Sequence, residues 1–212
     1  MSPRLQYLPD REQPVPMADL ALASRVENWV GVNSLGRGGS CMWASLWNCI
    51  RGANRPDLEA ILERSKRSGF EGPETLPGMA QKLDSIGIPW AATDDGDPSL
   101  LEAATASNRW AVIGYYTGHA VNFCGFATLN RDGLRALQGY ASRNQLDIRS
   151  SAIFAAGEQV AILLDNNDTR SYIIVEPRER FERNWRGPYH GIGIVPWLER
   201  FVPRTYPRTR RI

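Results

Sequence analysis

The residues able to do covalent or proton-transfer chemistry in this chain of 212 residues are few, because it holds only three cysteines and two histidines. Cys41 follows the glycine-rich stretch Gly36-Arg37-Gly38-Gly39-Ser40 and opens a run in which Met42, Leu46, Cys49 and Ile50 fall at helical spacing. A helix is therefore expected to begin near Ser40 or Cys41. A thiol at a helix N-terminus meets partial positive charge and free N–H groups, which favour the nucleophilic thiolate. The preceding glycines let backbone approach a substrate closely and aim amides at a developing oxyanion. A free cysteine more often packs as a small hydrophobe. Cys49, on the apolar face of the same helix, and Cys124, inside the run Val121 to Phe126, fit that role.

His119 is the expected base. It follows the turn signal Thr117-Gly118 and opens the strand-like run Ala120-Val121-Asn122-Phe123, from which an imidazole can project toward a helix end. His190, in Gly187-Pro188-Tyr189-His190-Gly191, reads as a turn residue with a surface role. A catalytic imidazole needs a third group to fix its tautomer. Asp165 and Asn166 are the candidates, standing where the apolar run Val160 to Leu164 stops at polar residues. An Asp/Asn cluster most often marks only a solvated turn. The Cys–His pair is what raises these two above it.

Together the segments Gly39-Ser40-Cys41-Met42-Trp43-Ala44-Ser45, Gly118-His119-Ala120-Val121 and Ile162-Leu163-Leu164-Asp165-Asn166 resemble the papain-like cysteine peptidases. That family sets its cysteine on the first turn of a central helix, its histidine at the start of a strand, and its Asn or Asp at the end of a following strand. The resemblance implies an α+β fold in which a helical half with a central nucleophile helix packs on an antiparallel β-sheet half. It implies a Cys-His-Asp/Asn triad acting on a protein or peptide substrate, without a cofactor. A papain alignment selects Asn166; likeness to the bacterial effector peptidases of the YopT and AvrPphB group selects Asp165. Two features depart from the family. Trp43 stands two places after Cys41 rather than next to it, and Leu35 occupies the position of the oxyanion glutamine. Asn33 and Ser40 are the nearest candidates for that role. The same constellation serves deamidases, transglutaminases and acyltransferases, and a papain-like scaffold can also bind a partner without chemistry.

These residues need elements to hold them. Helices are expected over Pro56 to Lys66, over Leu76 to Ile86 with Gly87 closing it, and from Asp97 as N-cap to before Asn108. Strands are expected over Trp110 to Tyr116, Ala120 to Leu129, Val160 to Leu164 and Tyr172 to Val175, with the first two forming a hairpin, and a helix over Arg131 to Ser142. Helices first and strands afterwards is the pattern of two halves with a cleft between them. Four prolines in residues 1–17 make an extended arm, residues 18–202 one catalytic domain, and residues 203–212, with four arginines and no acid, a basic tail.

Composition sets outer bounds. Apolar residues at 42% and charged residues at 23% are ordinary for a globular chain. An odd cysteine count argues for reduced thiols rather than a disulfide framework. Scattered Cys and His lack the spacing of a metal site, no glycine-rich nucleotide loop occurs, and a net charge of +2 without a basic stripe gives no strong nucleic-acid signal. No apolar run is long enough for a membrane span, and the N-terminus has no apolar signal core. Cytoplasmic synthesis is expected, which suits a cytosolic enzyme, a viral protease or an effector delivered into a host cell. Nothing in the pattern indicates an oligomeric state.

Overall fold

The computed structural model describes residues 41–53, 55–66, 74–107, 109–115, 118–129, 142, 147–150, 157–165 and 172–196. The arm, the basic tail, Asn33, Ser40, Asn166 and, save for Ser142, the helix expected over Arg131 to Ser142 lie outside them. The described elements are, in chain order, α1 (Cys41–Gly52), α2 (Pro56–Lys66), α3 (Leu76–Ser85), β1 (Trp90–Thr93), α4 (Ser99–Ala106), β2 (Ala111–Gly114), β3 (Ala120–Leu129), β4 (Asp147–Ser150), β5 (Glu158–Asp165), β6 (Tyr172–Pro177), α5 (Arg178–Arg186) and β7 (Gly193–Pro196).

The strands form one seven-stranded sheet in the order β1-β7-β2-β3-β5-β6-β4. Every pairing is antiparallel except that of β4, which joins β6 in parallel at the edge. The expected hairpin is β2–β3, with Gly114 opposite Ala120 and the Tyr115 N–H donating to the His119 carbonyl at 3.0 Å. The fold is mixed α+β, as expected, with helices and strands less segregated along the chain than a helical half followed by a sheet half. β1 precedes α4, α5 lies between β6 and β7, and helices cover both faces of the sheet. One face, with Val112, Ala120, Ile162, Leu164 and Ile173, packs against α1, α2 and α3. The other, with Ile113, Val121, Phe123, Leu163 and Ile174, packs against Leu100, Leu101 and Ala104 of α4 and Phe181 and Trp185 of α5. Burial on both faces explains why the central strands read as continuous apolar runs rather than alternating ones.

Local chemistry sets the element ends. Thr75 caps α3 by accepting from the Gly78 N–H at 3.2 Å, and the helix stops at Ser85 with Ile86 as its C-cap, one residue short of the expected end. Asp97 accepts from the Ser99 N–H at 2.9 Å, one position further out than the N-cap expected of it. In β3 the side chains change face at a bulge between Phe123 and Gly125. Cys124 and Ala127 face the α1 side, Phe123 and Phe126 the other. The backbone there reaches φ 146 at Gly125, a conformation residues with a Cβ rarely adopt.

α1 is buried on nearly every side, held between the sheet and α2 and α3, and its buried surface reaches beyond the expected stripe of Met42, Leu46, Cys49 and Ile50 to the polar Ser45 and Asn48. Asn48 donates from Nδ2 to Asn122 Oδ1 of β3 at 2.7 Å, and Asn122 Nδ2 donates to the Ser45 carbonyl at 2.8 Å. The Ser45 hydroxyl reaches the Ala120 carbonyl at 3.5 Å. Both asparagines are fully buried. A buried amide deprived of its partner costs about 1–3 kcal/mol. Asn122→Ala should lower unfolding stability by about that amount in urea titration. A double-mutant cycle with Asn48→Ala should show coupling between the two; additive losses would mean that the pair does not act as one unit.

Candidate active site

Cys41, His119 and Asp165 come together at the mouth of the groove between α1 and the sheet. The hydrogen bonds of α1 to β3 produce this meeting: Ser45, one turn after Cys41, lies against Ala120, the residue after His119. Asn48 and Cys49, a further turn along, lie against Asn122. The helix thus runs along β3 in a fixed register with Cys41 at the His119 end. Asn122 is paired with Leu164 across β3 and β5, so the end of β5 brings Asp165 beside the start of β3.

His119 Nε2 lies 2.8 Å from Asp165 Oδ1, with the two side chains only 11% and 8% exposed. Cys41 is also hydrogen-bonded to the imidazole. Since Asp165 occupies Nε2, Nδ1 is the nitrogen left to face the thiol. Burial works against the charged imidazolium, yet the hydrogen bonds to Asp165 and Cys41, aided by their charges, outweigh it and raise the His119 pKa from 6.5 to about 10. The other cysteines are different. Burial pushes the Cys49 thiol well up, against a hydrogen bond from Asn122, and burial does the same to Cys124 with Cys49 close by. Both lie in the core as expected, and all three thiols are free.

A cleft of about 460 Å³ opens over Cys41 and His119. Its walls come from the start of α1 (Cys41, Met42), the entry to α3 (Glu74 to Pro77), the β2–β3 hairpin (Val112, Gly114, Gly118 to Ala120), Asp94 after β1, and the turn before β7 (Pro188 to His190, Ile192). His190 is exposed, as a surface turn residue should be, but that surface is the rim of the same cleft. The sequence singles out neither the entry to α3 nor Asp94, and it marks this turn only as a surface turn, not as part of the cleft. No spacing rule joins them to Cys41, since three separate loops meet there only through the fold. Asn48 and Asn122 were missed as well, although an amide in the middle of an apolar run is itself a signal of a buried polar contact.

Among the described residues no group of three or more His, Cys, Asp or Glu is arranged to hold a metal ion, and no helix is long and apolar enough to cross a membrane. Compared with known proteins, the chain matches no family model, no curated protein and no solved structure.

The raised His119 pKa ties stability to pH. A folded chain that keeps a proton which the unfolded chain releases above 6.5 is stabilised fully below that pH, and the contribution is lost as pH rises through about 10. The stability difference between wild type and His119→Gln should therefore shrink steadily from pH 6.5 to 10 in chemical denaturation. Asp165→Asn should narrow that window, because it removes the carboxylate on Nε2.

Proposed function

We propose that the protein is a cysteine-dependent hydrolase of papain-like architecture, acting as a peptidase through a thioester acyl-enzyme. The observation that carries this reading is His119 held between Cys41 and Asp165, with the carboxylate 2.8 Å from Nε2 and the thiol on the ring's other side. A nucleophile on the first turn of a buried helix, a base at the start of a strand and an acid at the end of the neighbouring strand support the papain-like assignment. Helices on both sheet faces and the parallel edge strand β4 make it a divergent form.

In the proposed reaction the proton shared by the Cys41–His119 pair rests on His119, as its raised pKa favours, and Cys41 attacks the scissile carbonyl carbon as the thiolate. The backbone N–H groups of the first α1 turn face the developing oxyanion. Collapse of the tetrahedral intermediate breaks the C–N bond, and the imidazolium gives its proton to the departing amine. Water, deprotonated by His119, then attacks the thioester, and the carboxylic acid leaves as the thiolate re-forms. Asp165 keeps the imidazole in the tautomer whose Nδ1 faces sulfur and stabilises the imidazolium. Of the two candidates for the third residue, Asp165 is the one this mechanism uses.

The reading predicts that iodoacetamide labels Cys41 first. Cys49 and Cys124 sit protonated in the core and should react only on unfolding. Peptide mapping after brief alkylation should find carbamidomethyl on Cys41 alone, and His119→Ala should slow that labelling by a factor of 10²–10³, on the order of a lost general base. Equal, slow labelling of all three thiols would leave only a non-catalytic binding scaffold. Mass spectrometry of incubated proteins separates the chemistries: a cleaved backbone supports the peptidase, and an intact chain heavier by about one mass unit marks a deamidase.

A further inference from the structure

His190 is the only described residue other than glycine with a left-handed backbone, at φ 61, and it stands on the rim of the cleft that holds Cys41 and His119. A side chain with a Cβ is disfavoured there, less so for histidine, asparagine and aspartate than for other residues, and glycine adopts this conformation most readily. The next residue, Gly191 at φ 62, has a packing reason for its identity, because a Cβ on it would stand 2.3 Å from the Gly96 backbone. No such crowding requires histidine at 190. Backbone strain kept at a cleft is a mark of function.

The turn that carries His190 is held from several sides. The Gly191 N–H donates to the Trp185 carbonyl at 2.7 Å, the His190 N–H to the Gly187 carbonyl at 3.2 Å, and the Gly96 N–H to the Gly191 carbonyl at 3.1 Å. Arg186 Nε donates to the Gly96 carbonyl at 3.0 Å, and Trp185 itself is fully buried. The imidazole is thus presented from a fixed support. Met42, Leu76, Pro77 and Ile192 give the cleft apolar walls. An extended peptide entering between such walls needs partners for its backbone carbonyls.

From this geometry, and resting on the peptidase reading above, we infer that His190 is a substrate-binding residue whose imidazole N–H hydrogen-bonds a backbone carbonyl of an extended peptide in the cleft. The test compares alkylation of Cys41 in the full chain by iodoacetamide, which is too small to span the cleft, and by a panel of N-acyl dipeptidyl fluoromethyl ketones. His190→Asn and His190→Gly both tolerate the left-handed backbone, so the turn is kept. For panel members that outpace iodoacetamide on wild type, the ratio of the two rates should fall about tenfold in both variants. An unchanged ratio, or a panel in which no peptidyl probe outpaces iodoacetamide, would overturn the inference. Failure of the peptidase reading looks different: iodoacetamide labelling of Cys41 would then be indifferent to His119→Ala.

Discussion

The hydrogen bond between Asn48 and Asn122 is the contact on which the rest of the site depends. Apolar packing is collectively strong but non-directional, so by itself it selects the register of a buried helix on a sheet less sharply than paired polar groups do. A buried amide pair is more exacting, because any shift leaves donors and acceptors without partners in a low-dielectric interior. With Ser45 tied to Ala120 and Asn122 tied to the Ser45 carbonyl, the first turn of α1 has one position relative to the start of β3. The Cys41–His119 meeting follows from that register rather than from any contact at the mouth of the cleft.

The second determinant is the contest between desolvation and pairing at His119. Its side chain is almost as buried as the Asp165 carboxylate, so an isolated imidazolium there would be disfavoured. Acid on one nitrogen and thiol on the other reverse the balance. The core thiols show the opposite outcome. For Cys49 and Cys124 burial is the largest influence, and it outweighs the hydrogen bonds that would favour a thiolate. The three cysteines lie in elements that touch one another, yet only the one at the helix start faces an imidazole.

Much of this was legible in the sequence because the signals were local. The glycine run before Cys41, the proline and acids that open α2, and the Thr117-Gly118 turn each act over a few residues, and the elements they mark form where expected. What was not legible has common physical causes. β1 and β7 are four residues each and largely buried, too short to show a period, and they are paired to each other across about half of the chain's length. α5 is strongly polar, with Phe181 and Trp185 as its buried residues, so its apolar stripe is too thin to mark a helix. The contact of Asp165 with His119 depends on strand register: β5 extends through Asp165, and its carboxylate is set beside His119 by that ending. His190 could not be joined to the cleft at all, because the turn that bears it reaches the site through Gly96, an element distant in sequence.

A charged imidazole held between thiol and carboxylate is the central feature of the site. Its most direct test is an NMR titration of the His119 ring in wild type, Asp165→Asn and Cys41→Ala. Wild-type His119 should remain imidazolium through neutral pH and titrate toward about 10, with a lower titration point in each variant. A His119 that titrates near 6.5 in all three proteins would contradict it.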